Sequence, residues 1–312
     1  MVPACFSTIL ANTDRNGGQP TEAVLAIVKQ VPGTPQNDGS MVSVAAAAQT
    51  WVTGDFQKDV QERHPGLRAA LMPLFDTLGL TRARVLRTDQ YTQIADNDLP
   101  MEFLLAGATK AAMTKRIVFA GGIQYPRPFQ RAAVLGSIRQ LTQKEIDEFD
   151  SPDGVQQDAS VHFGLPMTFM YPQTEADMGY LVYRTMQPTL TSFRDFPADC
   201  DKVVACNKPR PAADAPYDTL KKYRPEPGFD GTVDAWLALR KRMGIPVQAC
   251  NAIVATSGPS FDRFERIVQA KLPAGSNVYA VGYPPPETLN ASQYLNELAL
   301  LLYECARYVV SG

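Results

Sequence analysis

The residues best placed for chemistry lie in the run Thr256-Ser257-Gly258-Pro259-Ser260, between two apolar stretches at 249–256 and 277–283. Each stretch reads as a buried strand, and 260–272 between them has helical spacing, so 249–283 is a βαβ-like segment. The N–H groups that open a helix attract phosphate or carboxylate. Ser257, Gly258 and Ser260 therefore form a candidate anion loop. The run matches none of the patterns GxGxxG, GxxxxGK[ST] or GxSxG. Any βαβ unit makes such a turn, so architecture explains it more economically than a ligand does.

The other chemistry-bearing residue types are thinly spread. Five cysteines (Cys5, Cys200, Cys206, Cys250, Cys305) stand at irregular spacings, and the Cys200–Cys206 pair fits neither a CxxC redox turn nor a zinc knuckle. They read as reduced thiols. The two histidines, His64 and His162, belong to no HExxH or Cys/His cluster, so a histidine-based zinc hydrolase is not expected. His64 reads as a solvated helix end, and His162 as a core histidine before a general base. Acidic groups such as Asp147/Glu148/Asp150 and Glu175/Asp177 could supply a general acid and base, but they fall at expected helix starts, where carboxylates favour the helix dipole. No metal set and no cofactor is expected, and no catalytic residue is assigned.

Charge is laid out more distinctively than any motif. Residues 80–140 carry Arg82, Arg84, Arg87, Lys110, Lys115, Arg116, Arg127, Arg131 and Arg139 against four carboxylates, a local balance of +5. Residues 141–200 carry three basic residues against ten carboxylates, a balance of −7. Such a reversal suits complementary faces between copies of the chain, or a basic groove for a nucleic acid with Tyr91, Phe119, Tyr125 and Phe129 as stacking surfaces. It equally suits two segments that pair within one fold.

The elements that must hold these residues follow from periodicity and turn chemistry. Helices are expected at 21–31 with Thr21 as N-cap, 41–51, 55–63, 67–78, 100–119, 129–140, 174–186, 232–243, 260–272 and 289–310. Thr142-Gln143-Lys144-Glu145 has the form of a capping box, placing a helix at 143–150. Strands are expected only at 163–170, 249–256 and 277–283. The fold class implied is mainly α with a minor β component, helix-rich and divisible into two subdomains. Its divisions are an arm with one helix at 1–40, a helical domain at 41–150, and a second helical domain at 151–312. The boundary is the Ser151-Pro152-Asp153-Gly154 turn, and the second domain holds a proline-rich excursion at 195–231 and the segment 249–283.

With 312 residues, 45% apolar and 20% charged at a net charge of −2, the chain can bury a large core and is no uniformly basic nucleic-acid binder. No apolar run is long enough to span a membrane, and the N-terminus lacks a signal peptide's basic and apolar regions. An intracellular location is expected, within a virion for a coat protein. Two functions from different classes fit. One is a self-assembling structural protein, such as a virus coat or nucleocapsid subunit, whose partners are copies of itself and, through the basic segment, nucleic acid. The other is a small-molecule enzyme or ligand-binding protein with an anion site at 257–260.

Overall fold

The computed structural model describes residues 6–11, 18–137, 139–150, 172–189, 196–205 and 229–311. A parallel sheet organises the chain, which corrects the expectation of a mainly α fold with a minor β component. Its five strands are β1 (Met101–Ala106), β2 (Arg131–Ser137), β3 (Asp201–Ala205), β4 (Asn251–Ser257) and β5 (Asn277–Tyr283). They run in the order β3-β2-β1-β4-β5, every neighbouring pair parallel. This is a doubly wound α/β arrangement. Strands β4 and β5 stand where strands were expected. Strands β1 and β2 lie inside the helices expected at 100–119 and 129–140, and β3 lies inside the expected proline-rich excursion.

The physical reason is burial on both faces. All six residues of β1 are buried, so the strand shows no alternation of apolar and polar positions, and Met101, Leu104 and Leu105 fit a helical stripe equally well. The helix expected across 100–119 begins only at α6 (Lys110–Gly121), where the Thr109 hydroxyl accepts from Ala112 N.

Helices cover both faces of the sheet. On one, α6 and α8 (Glu175–Thr189) pack Met113, Ile117, Met178 and Val182 against Phe103, Leu105, Val134 and Ile253, joined by Ile94 of α5 (Thr88–Ala95). On the other, α9 (Phe229–Arg242) and α10 (Phe261–Lys271) pack Val233, Trp236, Phe264 and Ile267 against Leu104, Leu135, Val254 and Val278. The two lists alternate along β1, as the pleat requires. At Gly136 a Cβ would lie 2.4 Å from the Ala176 Cα, so only glycine lets α8 come down onto β2. Between β2 and α8, α7 (Gln143–Asp150) opens with the capping box expected: Thr142 N donates to Glu145 Oε2, and Glu145 N to Thr142 Oγ1.

A third core lies beside the sheet. Helices α1 (Glu22–Gln30), α2 (Met41–Ala48), α3 (Gly54–Arg63) and α4 (Leu67–Thr77), with a 3-10 turn at Gln49–Val52, gather around α11 (Ala291–Ser311). Phe75 stacks on Tyr294 at 4.8 Å, and the buried Gln49 amide donates to Ala299 O at 2.8 Å. Thr21 stands at the N-cap of α1, but its hydroxyl donates to Thr8 O, tying residues 6–11 to the helix. These cores draw residues from across the expected divisions at 40 and 150. Among the described residues, no helix is long and apolar enough to cross a membrane.

The expected turn at 151–154, His162, the strand at 163–170 and most of the stretch at 195–231 lie outside the described residues.

Candidate functional site at the carboxyl edge of the sheet

Strands β1 and β4 are neighbours whose chains leave for opposite faces, β1 into α6 and β4 into α10. In open parallel sheets that divergence opens a crevice at the carboxyl ends of the strands. In this strand order that position falls between the turn at 107–109 and the loop at 257–260. Arg116, on the second turn of α6, reaches back into it. Its Nη1 donates to Ala106 O at 2.8 Å and Gly107 O at 3.0 Å, and its Nη2 to Ser257 Oγ at 3.1 Å. The guanidinium thus links the ends of β1 and β4. Burial pushes its pKa down, against the weaker opposing influence of the Tyr283 hydroxyl and the Glu175 and Glu297 carboxylates.

The neighbouring strand end adds an acidic group. Ser137 Oγ, at the end of β2, donates to Glu175 Oε2 at 2.5 Å, and Arg139 Nε lies 3.8 Å from the same oxygen. A Cβ on Gly107 would sit 2.4 Å from Glu175 Oε1, so the carboxylate rests directly on the turn that follows β1. Arg139 also grips Glu145 with two bonds, at 2.8 and 3.0 Å. That pairing, helped by the Thr142 N–H and hydroxyl, holds the Glu145 carboxyl down at about 2.

The loop expected to bind an anion occupies the crevice wall, with its own amides engaged. Gly258 N donates to Tyr283 O and Ser260 N to Ser257 O, both at 3.0 Å, and Pro259 has no N–H to offer. Ser260 makes no side-chain cap, and the first turn of α10 carries a buried carboxylate of its own, Asp262, bonded to Arg84 Nη2 at 2.6 Å. The donors of this crevice therefore come from Arg116 and Ser257 Oγ more than from the loop backbone.

The basic residues of 80–140 do not share one face. Arg82 pairs with Asp76 at 2.7 Å, Arg84 with Asp262 and Glu265, and Arg87 with Asp89. Arg127 donates to Ile94 O, Asn97 Oδ1 and Leu99 O. Arg116 and Arg139 belong to the crevice, and Lys110 opens α6 beside it. Lys115 is exposed on α6, and Arg131 begins β2 at the opposite edge of the sheet. Where the basic and acidic segments meet, at Arg139 with Glu145 and Glu175, they pair within one chain.

Nothing in the sequence marks Ser137, and by position Glu175 reads as a carboxylate at a helix start. Its neighbour Asp177 fits that reading, forming a capping box with Thr174. Glu175 turns inward instead. His64 ends α3. Cys200, Cys250 and Cys305 are buried and form no disulfide, and no group of three or more His, Cys, Asp or Glu among the described residues is arranged to hold a metal ion.

No protein-family model matches this chain, and neither does any curated protein or solved structure.

Proposed function

We propose that the protein binds a small polar molecule at the carboxyl edge of its sheet, with Glu175 as the group placed to take a proton from a ligand hydroxyl. The observation that carries this reading is convergence. The ends of β1, β2 and β4 and the start of α8 bring Arg116, Ser137, Glu175 and Ser257 to one crevice, at the position where open α/β sheets hold ligands. The Ser137–Glu175 hydrogen bond orients the carboxylate, as a general base requires.

The test is a thermal-shift panel of nucleosides, mononucleotides, sugar phosphates and carboxylic acids on the wild type and on Glu175→Gln. A compound that stabilises the wild type and loses most of that effect in the variant supports the proposal. Equal stabilisation of both puts the ligand elsewhere and defeats it.

The self-assembling coat or nucleocapsid reading stands second. It draws on Lys115 and the exposed Val118 on the outer side of α6, and on Arg131. The engagement of Arg82, Arg84, Arg87, Arg127 and Arg139 within the chain leaves it a smaller basic surface than the sequence suggests. Large, salt-sensitive particles in light scattering, with no hit in the panel, would favour it over the first reading.

A further inference from the structure

Three arginines among the described residues are buried. Arg240 meets Glu102 at 2.7 Å, and Arg263 meets Glu297 at 2.9 Å. The third, Arg116, is only 7% exposed, yet no carboxylate of the described residues lies within ion-pair distance of it. Its partners are two carbonyls and the Ser257 hydroxyl, with the Tyr283 hydroxyl also acting on it, and its buried Nε, like that of Arg240, has no hydrogen-bond partner. A buried cation is costly unless an opposite charge meets it. Among the described residues, a carboxylate pairs directly with two of the buried arginines, whereas Glu175 and Glu297 act on Arg116 only from beyond ion-pair distance.

We infer that the ligand of this crevice carries an oxyanion, a carboxylate or a phosphate, that pairs with Arg116 between the Gly107–Thr109 turn and the Ser257–Ser260 loop. This rests on the ligand-binding reading of the carboxyl edge. Nε and Nη2 form the edge of a guanidinium that grips an oxyanion with two parallel bonds. Ser257 Oγ accepts from Nη2 and keeps its own proton to donate. The first turn of α6, opening at Lys110, adds the positive end of a helix dipole.

The experiment titrates the full chain with sodium phosphate, sodium malonate and sodium chloride at matched ionic strength, following the melting temperature. A saturable rise of about 3 °C with phosphate or malonate, absent with chloride, is expected. Phosphate alone identifies a phosphorylated ligand, and malonate alone a carboxylate. Arg116→Lys, which loses the two-pronged grip, weakens that binding about tenfold. Ser257→Asp places a counter-charge beside Nη2, so it raises the melting temperature without added anion and abolishes the response. That second variant carries the test if Arg116 substitutions do not fold.

No saturable rise above chloride overturns the inference, as does a response that survives unchanged in Ser257→Asp. A neutral nucleoside or sugar that stabilises the wild type but not Glu175→Gln, without any anion response, overturns the oxyanion and leaves the carboxyl-edge reading standing. Failure of every compound overturns both.

Discussion

Two carboxylates in this protein, Glu265 and Glu145, are shifted in opposite directions, and both are open to measurement. Glu265 accepts Ala280 N at 2.9 Å and lies 3.5 Å from Arg84, with Asp262 beside it. Burial outweighs the arginine and pushes its carboxyl up from 4.5 to about 6. The folded state therefore holds the proton longer than the unfolded chain. That contribution is complete below about pH 4.5 and is lost as pH rises through 6, an effect of about 2 kcal/mol. Glu265→Gln should flatten the fall between pH 4.5 and 6, read by urea denaturation at each pH. Glu145 behaves oppositely. Gripped by Arg139 and held at about 2, it stabilises the fold above pH 4.5, and that contribution disappears as pH falls through 2. Glu145→Gln should remove this acid-side loss. Of the candidate site, the sequence exposes Ser257 by its place between two legible strands, and Arg116 as one member of a basic run. Nothing in local spacing shows that Arg116 is buried, or that Ser137 and Glu175 meet, because those relations exist only once β1, β2 and β4 lie side by side.

Among the elements, those whose signals are local are the ones legible in the sequence. The box at Thr142 and Glu145 specifies the start of α7 with two reciprocal hydrogen bonds, and the apolar face of α11 repeats at helical spacing. The central strands have no such marker, since a strand covered on both faces lacks the two-residue period that distinguishes it from a helix. Leu298, wholly buried on α11, gives a direct check: Leu298→Ala should cost about 3 kcal/mol in chemical denaturation. At Gly136 the obstacle is backbone that cannot rotate away. Gly136→Ala must push α8 off β2, at a cost of about 2 kcal/mol, and should weaken ligand binding at Glu175, the first residue of that helix.

At the scale of the whole molecule, the helical layer and the sheet are joined through α11, which packs against α10 and fills the centre of the third core. Helices α1, α2 and α4 and the 3-10 turn bury Val24, Ile27, Met41, Trp51 and Phe75 against a partner they do not contain. Ending the chain after residue 289 should therefore expose Trp51, seen as a red-shifted fluorescence maximum, and open α1 to α4 to limited proteolysis. The hydrogen bond from Gln49 to Ala299 joins residues 250 positions apart. On the ribosome, the segment that makes α1 to α4 emerges long before its partner helix, and its apolar faces stay uncovered while the whole sheet is synthesised. Closing so large a loop late slows folding, and until α11 arrives those apolar faces have no partner to cover them.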